Sequence, residues 1–459
     1  MGGLNTSLYI GVQALETTQG ALNATSNNIA NANTPGYTRE VPQISEGPET
    51  QTGDSVQGGG VTLTSLQSVR DELLNLQIQQ QTSDQSSVDT QSSSLQQIQN
   101  YFSSSGEDIA STLSAFSGSL AQLSANSSST AVQQSVLSSG KNLAASFNTT
   151  ANGLTSIQSA ADQQVTQTVS QINSLTTQIA NLNGQLWQLN AAGQNAGTVE
   201  DQRDQLVQQL SQLTGISLTQ SSDGETITTG NGSPLVMGSQ SFSLQTTPGS
   251  NGLQQVIDTS GNNITSSIQG GQLGGALAIR DQTIPSYLNQ LNTLASQFAT
   301  AFNAAQAQGF DSNGNAGGNF FTVPSGTAGA AAGISVAITS PAQIAVSSDG
   351  SAGSNGNVAN LTAALNNALP SGQTAAQSYA SLVYQVGDAT SNASTTSTAI
   401  GQNLLSLTNQ QSSESGVNID EETTNLIRYQ TAYEAAARIV STVQALDTVT
   451  LDMGSSQSY

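Results

Sequence analysis

The chain has 459 residues, 35% hydrophobic and only 4% aromatic, and its 7 Lys and Arg stand against 29 Asp and Glu for a net charge of −22. A polyanion of this kind is repelled by phosphate backbones and by anionic lipid, so neither nucleic acid nor a membrane is expected as a partner. With no Cys and no His, disulfides, thiol nucleophiles, the usual zinc sites and Ser-His-Asp triads are excluded, and no metal or cofactor is expected.

The length exceeds one ordinary core, so several domains are expected. No stretch approaches a membrane span. Met1 to Gln19 lacks the basic start and apolar block of a secretory signal.

In chain order, Leu8, Val12, Leu15, Leu22 and Ile29 form one seam of a helix that expects a partner helix. Gln19 and Ser26 interrupt the seam, so the helix is weak alone. Asn27, Asn28, Asn31 and Asn33 crowd its end, and Thr34-Pro35-Gly36-Tyr37 stops it. Pro-Gly fits the middle of a type II turn, with Gly supplying the positive φ. An extended stretch follows to Gly60, and Val61, Leu63 and Leu66 suggest a short strand.

Helical pattern resumes at Asp71 with Leu73, Leu74, Leu76 and Ile78, and again with Leu95, Ile98, Tyr101 and Phe102. A long helix is predicted over 158–188 from Val165, Val169, Ile172, Leu175, Ile179, Leu182 and Leu186, and a shorter one from Val199 to Leu213. Residues 215–270 change character. Alternating runs such as Glu225-Thr226-Ile227-Thr228 and Ser241-Phe242-Ser243-Leu244, with Asp223-Gly224 and Asn231-Gly232 as turn signals, predict a small β insert. Helix resumes near Gly275 and runs past Phe302, and again from Ala375 to Leu407.

In the last segment Asp420 is expected to cap a helix bearing Leu426, Tyr433 and Val440 in one seven-spaced row, and Ile439, Leu446 and Met453 in a second. Two rows make a broad apolar face able to meet two partners at once. The expected fold class is therefore mainly α with a β insert. Residues 1–60 with 415–459 form a terminal helical, coiled-coil domain, 61–215 with 271–414 an elongated helical domain, and 216–270 a β-rich outer domain.

The run from Asn27 through Asn28, Ile29, Ala30, Asn31, Ala32, Asn33, Thr34, Pro35, Gly36 and Tyr37 to Arg39 resembles the N-terminal signature of the flagellar rod, hook and hook-associated axial proteins. Ser415 to Glu422, continuing Asn425 to Arg438, resembles their C-terminal signature. Inside, Glu200-Asp201-Gln202-Arg203-Asp204-Gln205-Leu206, the block Gly274 to Pro285 with Arg280-Asp281, and Phe320-Phe321 resemble the hook-associated protein 1 family. The resemblance implies a structural subunit and not an enzyme. It implies export through the flagellar type III apparatus without a cleaved signal, and an extracellular place at the hook–filament junction. The implied partners are hook protein, a second hook-associated protein, other copies in a ring, and an export chaperone at the C-terminal helix.

A helix with a half-filled seam is marginal alone, so the ends are expected to be disordered in the monomer and to fold on assembly. On this reading Leu8, Val12, Leu15, Leu22 and Ile29, with Leu426, Tyr433, Val440, Ile439 and Leu446, are subunit-interface residues. The alternative is that both helices bury their seams within one monomer. Arg203, Arg280, Arg428 and Arg438 read by default as helix-surface ion-pairing cations, with pairing between subunits the alternative for Arg428 and Arg438.

Other functions carry less support. Another axial role, as hook or filament subunit, is the nearest alternative. A glycan-cleaving enzyme would need two carboxylates on a scaffold, but Glu107-Asp108 and Asp420-Glu421-Glu422 read as helix N-terminal acids. Asp311, Asn313 and Asn315 with Gly314 start like a calcium loop but lack its remaining spacing and terminal Glu, so they read as a turn.

Overall fold

The computed structural model describes residues 2–52, 55–103, 106–221 and 224–455. It is mostly helical, with small antiparallel sheets. Asp223 of the expected Asp-Gly turn, Met1 and the last four residues lie outside the described residues.

The chain opens with α1 (Gly2–Asn31), then a long hairpin in which β1 (Glu40–Glu46) pairs with β4 (Val61–Ser68) and β2 (Thr50–Thr52) pairs with β3 (Ser55–Gln57). The strand expected from Val61, Leu63 and Leu66 is β4. The body begins with α2 (Glu72–Phe102), whose cap is Asp71: its carboxylate accepts the Leu74 N–H at 3.0 Å. Next come α3 (Ile109–Ala125), capped by Asp108, α4 (Thr130–Ala191) and α5 (Gly197–Leu213).

Three helical extents differ from the sequence expectation. The two apolar runs of α2 belong to one helix, because the polar stretch between them buries Thr82, Ser83, Ser87 and Ser92. Helix α3 was not anticipated. Helix α4 begins at Thr130, well before residue 158, and its first half buries Val136, Leu143, Phe147 and Leu154. Two glycines hide that periodicity. A Cβ at Gly140 would meet Phe320 at 2.7 Å and one at Gly153 would meet Tyr101 at 2.4 Å, so both are sites of close aromatic approach.

The β insert holds an antiparallel meander of β5 (Ile216–Ser221), β6 (Gly224–Thr229), β7 (Pro234–Met237) and β8 (Gln240–Ser241), then the pair β9 (Gln245–Pro248) and β10 (Gln254–Ile257). Gly232 turns the chain at φ 87° after Asn231, as expected. The run Ser241–Leu244 is strand only at its start; beyond it Leu244 is buried and its N–H donates to Asn173 Oδ1 at 2.8 Å on α4. The insert shares one apolar cluster with its helical neighbours: Ile227, Leu235, Val236 and Val256 pack with Val165, Val169 and Ile172 of α4 and Leu210 of α5.

Helix α6 (Gly271–Ala278) leads through a π turn, Ile279–Thr283, into α7 (Ile284–Gln306). Pro285 explains the widened turn. Its ring would clash with the Asp281 carbonyl one α-turn back, the Ile284 N–H reaches back to the Ile279 carbonyl instead of Arg280, and Gln158 Nε2 gives the Arg280 carbonyl a donor at 2.8 Å. The remaining elements are β11 (Phe321–Thr322) paired with β12 (Ser335–Val336), α8 (Ala330–Gly333) between them, α9 (Val358–Asn366), α10 (Ala375–Ser415) and α11 (Ile419–Ser455).

A second apolar cluster joins α3, the first half of α4, α7, α9 and the start of α10, and contains Phe116, Phe298, Phe302, Phe320 and Phe321. Their ring centroids lie 4.8 to 6.2 Å apart. More than half of the chain's 9 Phe therefore sit in one place, which is how a chain so poor in aromatics builds a core. Asp311 accepts N–H groups from Asn313 and Asn315 at 2.8 and 2.9 Å, the self-bonded turn expected there.

Candidate functional site

The two chain ends meet in space. Helix α1 lies antiparallel along α11, with Gly11 against Val440 and Asn28 beside Glu422. A Cβ at Gly11 would sit 2.8 Å from Val440 Cγ2, so the absence of a side chain sets the approach. The pair buries little: Thr17, Ala21, Ala24, Thr25 and Asn28 on α1, and Glu422, Ala436 and Val443 on α11.

The seam residues named from sequence straddle this contact. Leu8, Leu15, Leu22, Ile29, Leu426 and Val440 are half-buried. Val12, Tyr433, Ile439 and Leu446 are 39%, 37%, 51% and 49% exposed; at about 100° per residue Ile439 and Leu446 share one open side of α11 with Ile427, Val449 and Met453, while Tyr433 and Leu451 lie on the side of Leu426 and Val440. Within one chain the structure thus covers part of the apolar surface and leaves a second strip open. Arg428 and Arg438 are exposed on α11.

The Asn-rich motif has a defined centre. Asn28 is 1% exposed and makes four hydrogen bonds. Its Nδ2 donates to the Glu40 carbonyl at 2.8 Å and to Glu422 Oε2 at 3.2 Å. Its Oδ1 accepts the Glu40 N–H at 3.0 Å and the Tyr37 hydroxyl at 2.8 Å. One side chain thereby ties α1, the turn, β1 and α11. Burial first, then the charges of Glu40, Asp201 and Glu422, push the Tyr37 phenol above its ordinary value, which keeps it protonated and able to donate.

Around this centre, Asn31 Nδ2 reaches back to Asn27 Oδ1 at 2.9 Å, and Thr34 Oγ1 donates to Asn31 Oδ1 at 3.2 Å. The Tyr37 N–H closes the turn on the Thr34 carbonyl at 3.2 Å, with Gly36 at φ 75°. Asn27, Ala30, Thr34, Pro35 and Gly36 are exposed.

The turn rests on α5. Gln205 Nε2 donates to the Pro35 carbonyl at 2.9 Å, and the Thr38 N–H donates to Asp201 Oδ2 at 3.1 Å. The other Asp201 oxygen takes Arg70 Nη2 at 2.6 Å, and Arg70 Nη1 pairs with Asp204. Burial lifts the Asp201 carboxyl above its ordinary value, against the pull of the Thr38 N–H and Arg70. The interior block Glu200–Leu206 is therefore the seat of the N-terminal signature. Sequence reading found both blocks but not their contact, and it passed over Arg70 and Glu422 as partners. No local signal pairs positions so far apart.

Two further corrections concern charge. Asp420 is not the cap of α11: Asn418 Oδ1 accepts the Asp420 and Glu421 N–H groups at 3.0 and 3.3 Å. Both residue types cap helices well, and the extended backbone at Gly416 starts the helix two residues earlier. Arg203 and Arg280 are not surface pairs. Arg203 is bound to Asp204 at 2.9 Å and across to Glu225 at 3.2 Å in β6, with side chains 11% and 9% exposed at the second contact. Arg280 is 2% exposed.

Gly36→Ala is expected to cost about 1–2 kcal/mol locally, since a non-glycine residue is strained in this conformation. Its Cβ would also fall 2.3 Å from Gln205 Nε2. Faster amide exchange at Tyr37 and Thr38, with α4 and α7 unchanged, is the check.

Among known families, "Flagella basal body rod protein" matches residues 8–38, which are α1 and the turn. "Flagellar basal body rod FlgEFG protein C-terminal" matches residues 409–453, the end of α10 and most of α11. The two matched ends are the two that pair in space. "Flagellar hook-associated protein FlgK helical domain" matches residues 95–321. Flagellar hook-associated protein 1 of Bacillus subtilis is 31% identical, over 98% of this chain and 99% of its own length. The chain belongs to the flagellar hook-associated protein 1 family. The Salmonella typhimurium member is 27% identical over 95% of this chain and 97% of its own. A solved structure, the flagellar hook junction protein FlgK from Burkholderia pseudomallei, shares the fold at 19% identity, with a TM-score of 0.66 over 73% of this chain and 99% of that one.

Membership in the hook-associated protein 1 family makes the chain a structural component of the flagellum and places it among axial proteins that contact one another. Among the described residues no helix is long and apolar enough to cross a membrane.

Proposed function

We propose that the chain is a subunit of the hook–filament junction, exported through the flagellar type III apparatus without a cleaved signal, and polymerised through its terminal helices. The observation that carries this reading is the open strip of α11. Ile439, Leu446, Val449 and Met453 share one side of the helix and are all at least a third exposed, although the inner face of the helix is already covered. Apolar surface of this kind is stabilised by burial at about 25 cal/mol per Å2, which a neighbouring subunit supplies. The expected neighbours are hook protein, a second hook-associated protein and further copies in a ring. An export chaperone covers the C-terminal helix before assembly.

Co-sedimentation with isolated hooks tests the reading, using the full chain and a version lacking residues 1–39 and 420–459. Pelleting of the full chain alone supports it; pelleting of neither puts the chain elsewhere on the axis or makes its partner a prerequisite, and pelleting of both removes the ends as the hook-binding element. Ile439→Asp sharpens the test. Ile439 is 51% exposed but its Cγ2 borders Gly11 of α1, so the substitution is expected to cost the helix pair about 1 kcal/mol. It is nonetheless expected to abolish pelleting. Normal pelleting with an unchanged circular dichroism spectrum would remove the outer strip from the interface.

A further inference from the structure

Among the described residues, the chain's one Trp belongs to neither apolar cluster. Trp187, near the end of α4, is 58% exposed, and Leu76 of α2 is 43% exposed. Both line a cleft of about 430 Å3 bounded by the start of α2, the end of α4, α5 and the hairpin of β5 and β6. Trp is a largely buried residue type, and a bare indole is a large apolar surface with a single N–H to give. None of the described residues that line the cleft belongs to α1 or α11, so the cleft stands whatever the chain ends do.

The other walls are polar, and their charges are already paired. Arg70 binds Asp201 at 2.6 Å and also Asp204, and Arg203 binds Asp204 at 2.9 Å and Glu225 at 3.2 Å. An ionic ligand of either sign would have to break these pairs and would meet like charge beside them. Other polar groups in the walls lack a partner. Asn183 is fully buried: its Nδ2 donates to the Glu225 and Gly238 carbonyls at 3.1 and 2.9 Å, but its Oδ1 finds no partner among the described residues. Gln79 Oε1 and Arg70 Nε are in the same position. Gly224, at φ 113°, brings the hairpin close over Asn183, where a Cβ would sit 3.3 Å from the Asn183 Cγ. Two acceptors and one donor thus line the cleft unsatisfied, and buried groups of this kind gain most from a ligand that pairs them.

We propose that this cleft binds a neutral saccharide, with one pyranose ring laid on Trp187 and its hydroxyls turned to Asn183, Gln79 and Arg70. A hydroxyl both donates and accepts, so one ring serves the two amide oxygens and the guanidinium Nε together. A phosphate only accepts and an ammonium only donates, so neither serves both kinds. The C–H face of the ring is apolar and matches the indole. The cleft lies within the size range of small-ligand sites, about 300–1,000 Å3, and the ion pairs hold Arg70 in place before the ligand arrives. The proposal rests on this chemistry and not on the junction assignment.

Because Trp187 is the only Trp, its fluorescence reports on the cleft in the full, unmodified chain. Titration with glucose, galactose, N-acetylglucosamine, cellobiose, lactose and chitobiose is expected to give a saturable change with at least one of them, at a millimolar Kd. Sorbitol, which has the hydroxyls without the ring face, and glucuronate, which has the ring and a charge, are each expected to bind at least about tenfold more weakly than that sugar. Gln79→Ala is expected to weaken binding about tenfold with an unchanged circular dichroism spectrum. Gln79 is only half-buried, so its variant keeps the test valid where substitution of Asn183 perturbs the hairpin. Trp187→Ala, read by saturation-transfer NMR of the sugar, is expected to abolish binding. Absence of a saturable response to every one of these sugars overturns the proposal, as does an equal response to sorbitol, or an affinity that neither Gln79→Ala nor Trp187→Ala changes. Trp187 emission that shifts with protein concentration in the absence of sugar also overturns it, since a second copy of the chain would then cover the cleft.

Discussion

Asn28→Ala is expected to lower the local stability of the terminal helix pair by about 3 kcal/mol, because a buried donor or acceptor left without a partner costs about 1–3 kcal/mol and several are orphaned at once. The substitution strands the Glu40 N–H and carbonyl, the Tyr37 hydroxyl and one oxygen of Glu422. Water entering the gap recovers part of the loss. Amide protection across α1 and the start of α11 should fall by about a hundredfold, since 1.4 kcal/mol is a factor of ten. The aromatic cluster around Phe302 should keep its protection, because the terminal unit contributes nothing to it. Asn28→Asp separates shape from donors. It retains both acceptor bonds, loses both donor bonds and sets a second carboxylate beside Glu422. It is expected to be at least as harmful as Ala at neutral pH. Adding Glu422→Gln restores a donor facing the new carboxylate and should recover part of the loss; absence of recovery would show that the Asn28–Glu422 bond is not what joins the chain ends.

Arg280→Ala is expected to cost about 3–4 kcal/mol in the cluster beneath the β insert, since removing one partner of a buried pair leaves an uncompensated charge. Arg280 is 2% exposed and reaches four acceptors. Its Nη1 binds Asp162 Oδ1 at 2.7 Å and the Gln254 carbonyl at 2.6 Å; Nε and Nη2 hold the two oxygens of Asp281 at 2.7 and 2.8 Å. Burial works against the guanidinium, yet Asp281 and Asp162 hold its pKa above the ordinary value, so it stays charged. The loss falls below the top of the range for buried pairs because Asp281 is 33% exposed and water shields it. A chain of this size does not unfold in one step, so the readout is exchange in β7 and β10 and not a global midpoint. Arg280→Met with Asp162→Leu removes the guanidinium and its less exposed carboxylate partner, leaves only the part-exposed Asp281 charge to water, and should be less damaging than Arg280→Ala alone. Equal or greater damage from the double substitution would mean that the Gln254 contacts, and not the ion pair, carry the effect.

Much of the fold was legible because it is local. The Thr34–Tyr37 turn follows from Pro and Gly chemistry alone, and the second half of α4 from apolar spacing. Strand β4, helix α5 and the meander around Asn231-Gly232 carried similar local signals. The misses have different grounds: α3 buries Ile109, Leu113, Phe116, Leu120 and Leu123 at helical spacing and was legible but passed over, whereas α2 and the first half of α4 hide their periodicity. Helix α2 buries Ser and Thr against its neighbours, so the periodic signal disappears in its middle although the backbone continues. The first half of α4 is interrupted by Gly140 and Gly153, which look like breakers in sequence and serve as contact points in space.

The candidate site divides along the same line. Composition excluded thiol, His and zinc chemistry, and the two terminal signatures named the flagellar axial family without reference to any contact. The sequence by itself also determined that both ends would be amphipathic helices, because seven-residue spacing is a property of the chain. Only the tertiary structure decided which partners Asn28 finds, 12 and 394 positions away, and that the block around Asp201 and Gln205 seats the N-terminal turn. It alone decided that Arg280 is buried while Arg428 stays exposed, though both lie near acids in sequence. The physical reason is that hydrogen bonds and ion pairs are chosen by distance in space, and burial decides their weight; neither quantity exists until the helices have packed.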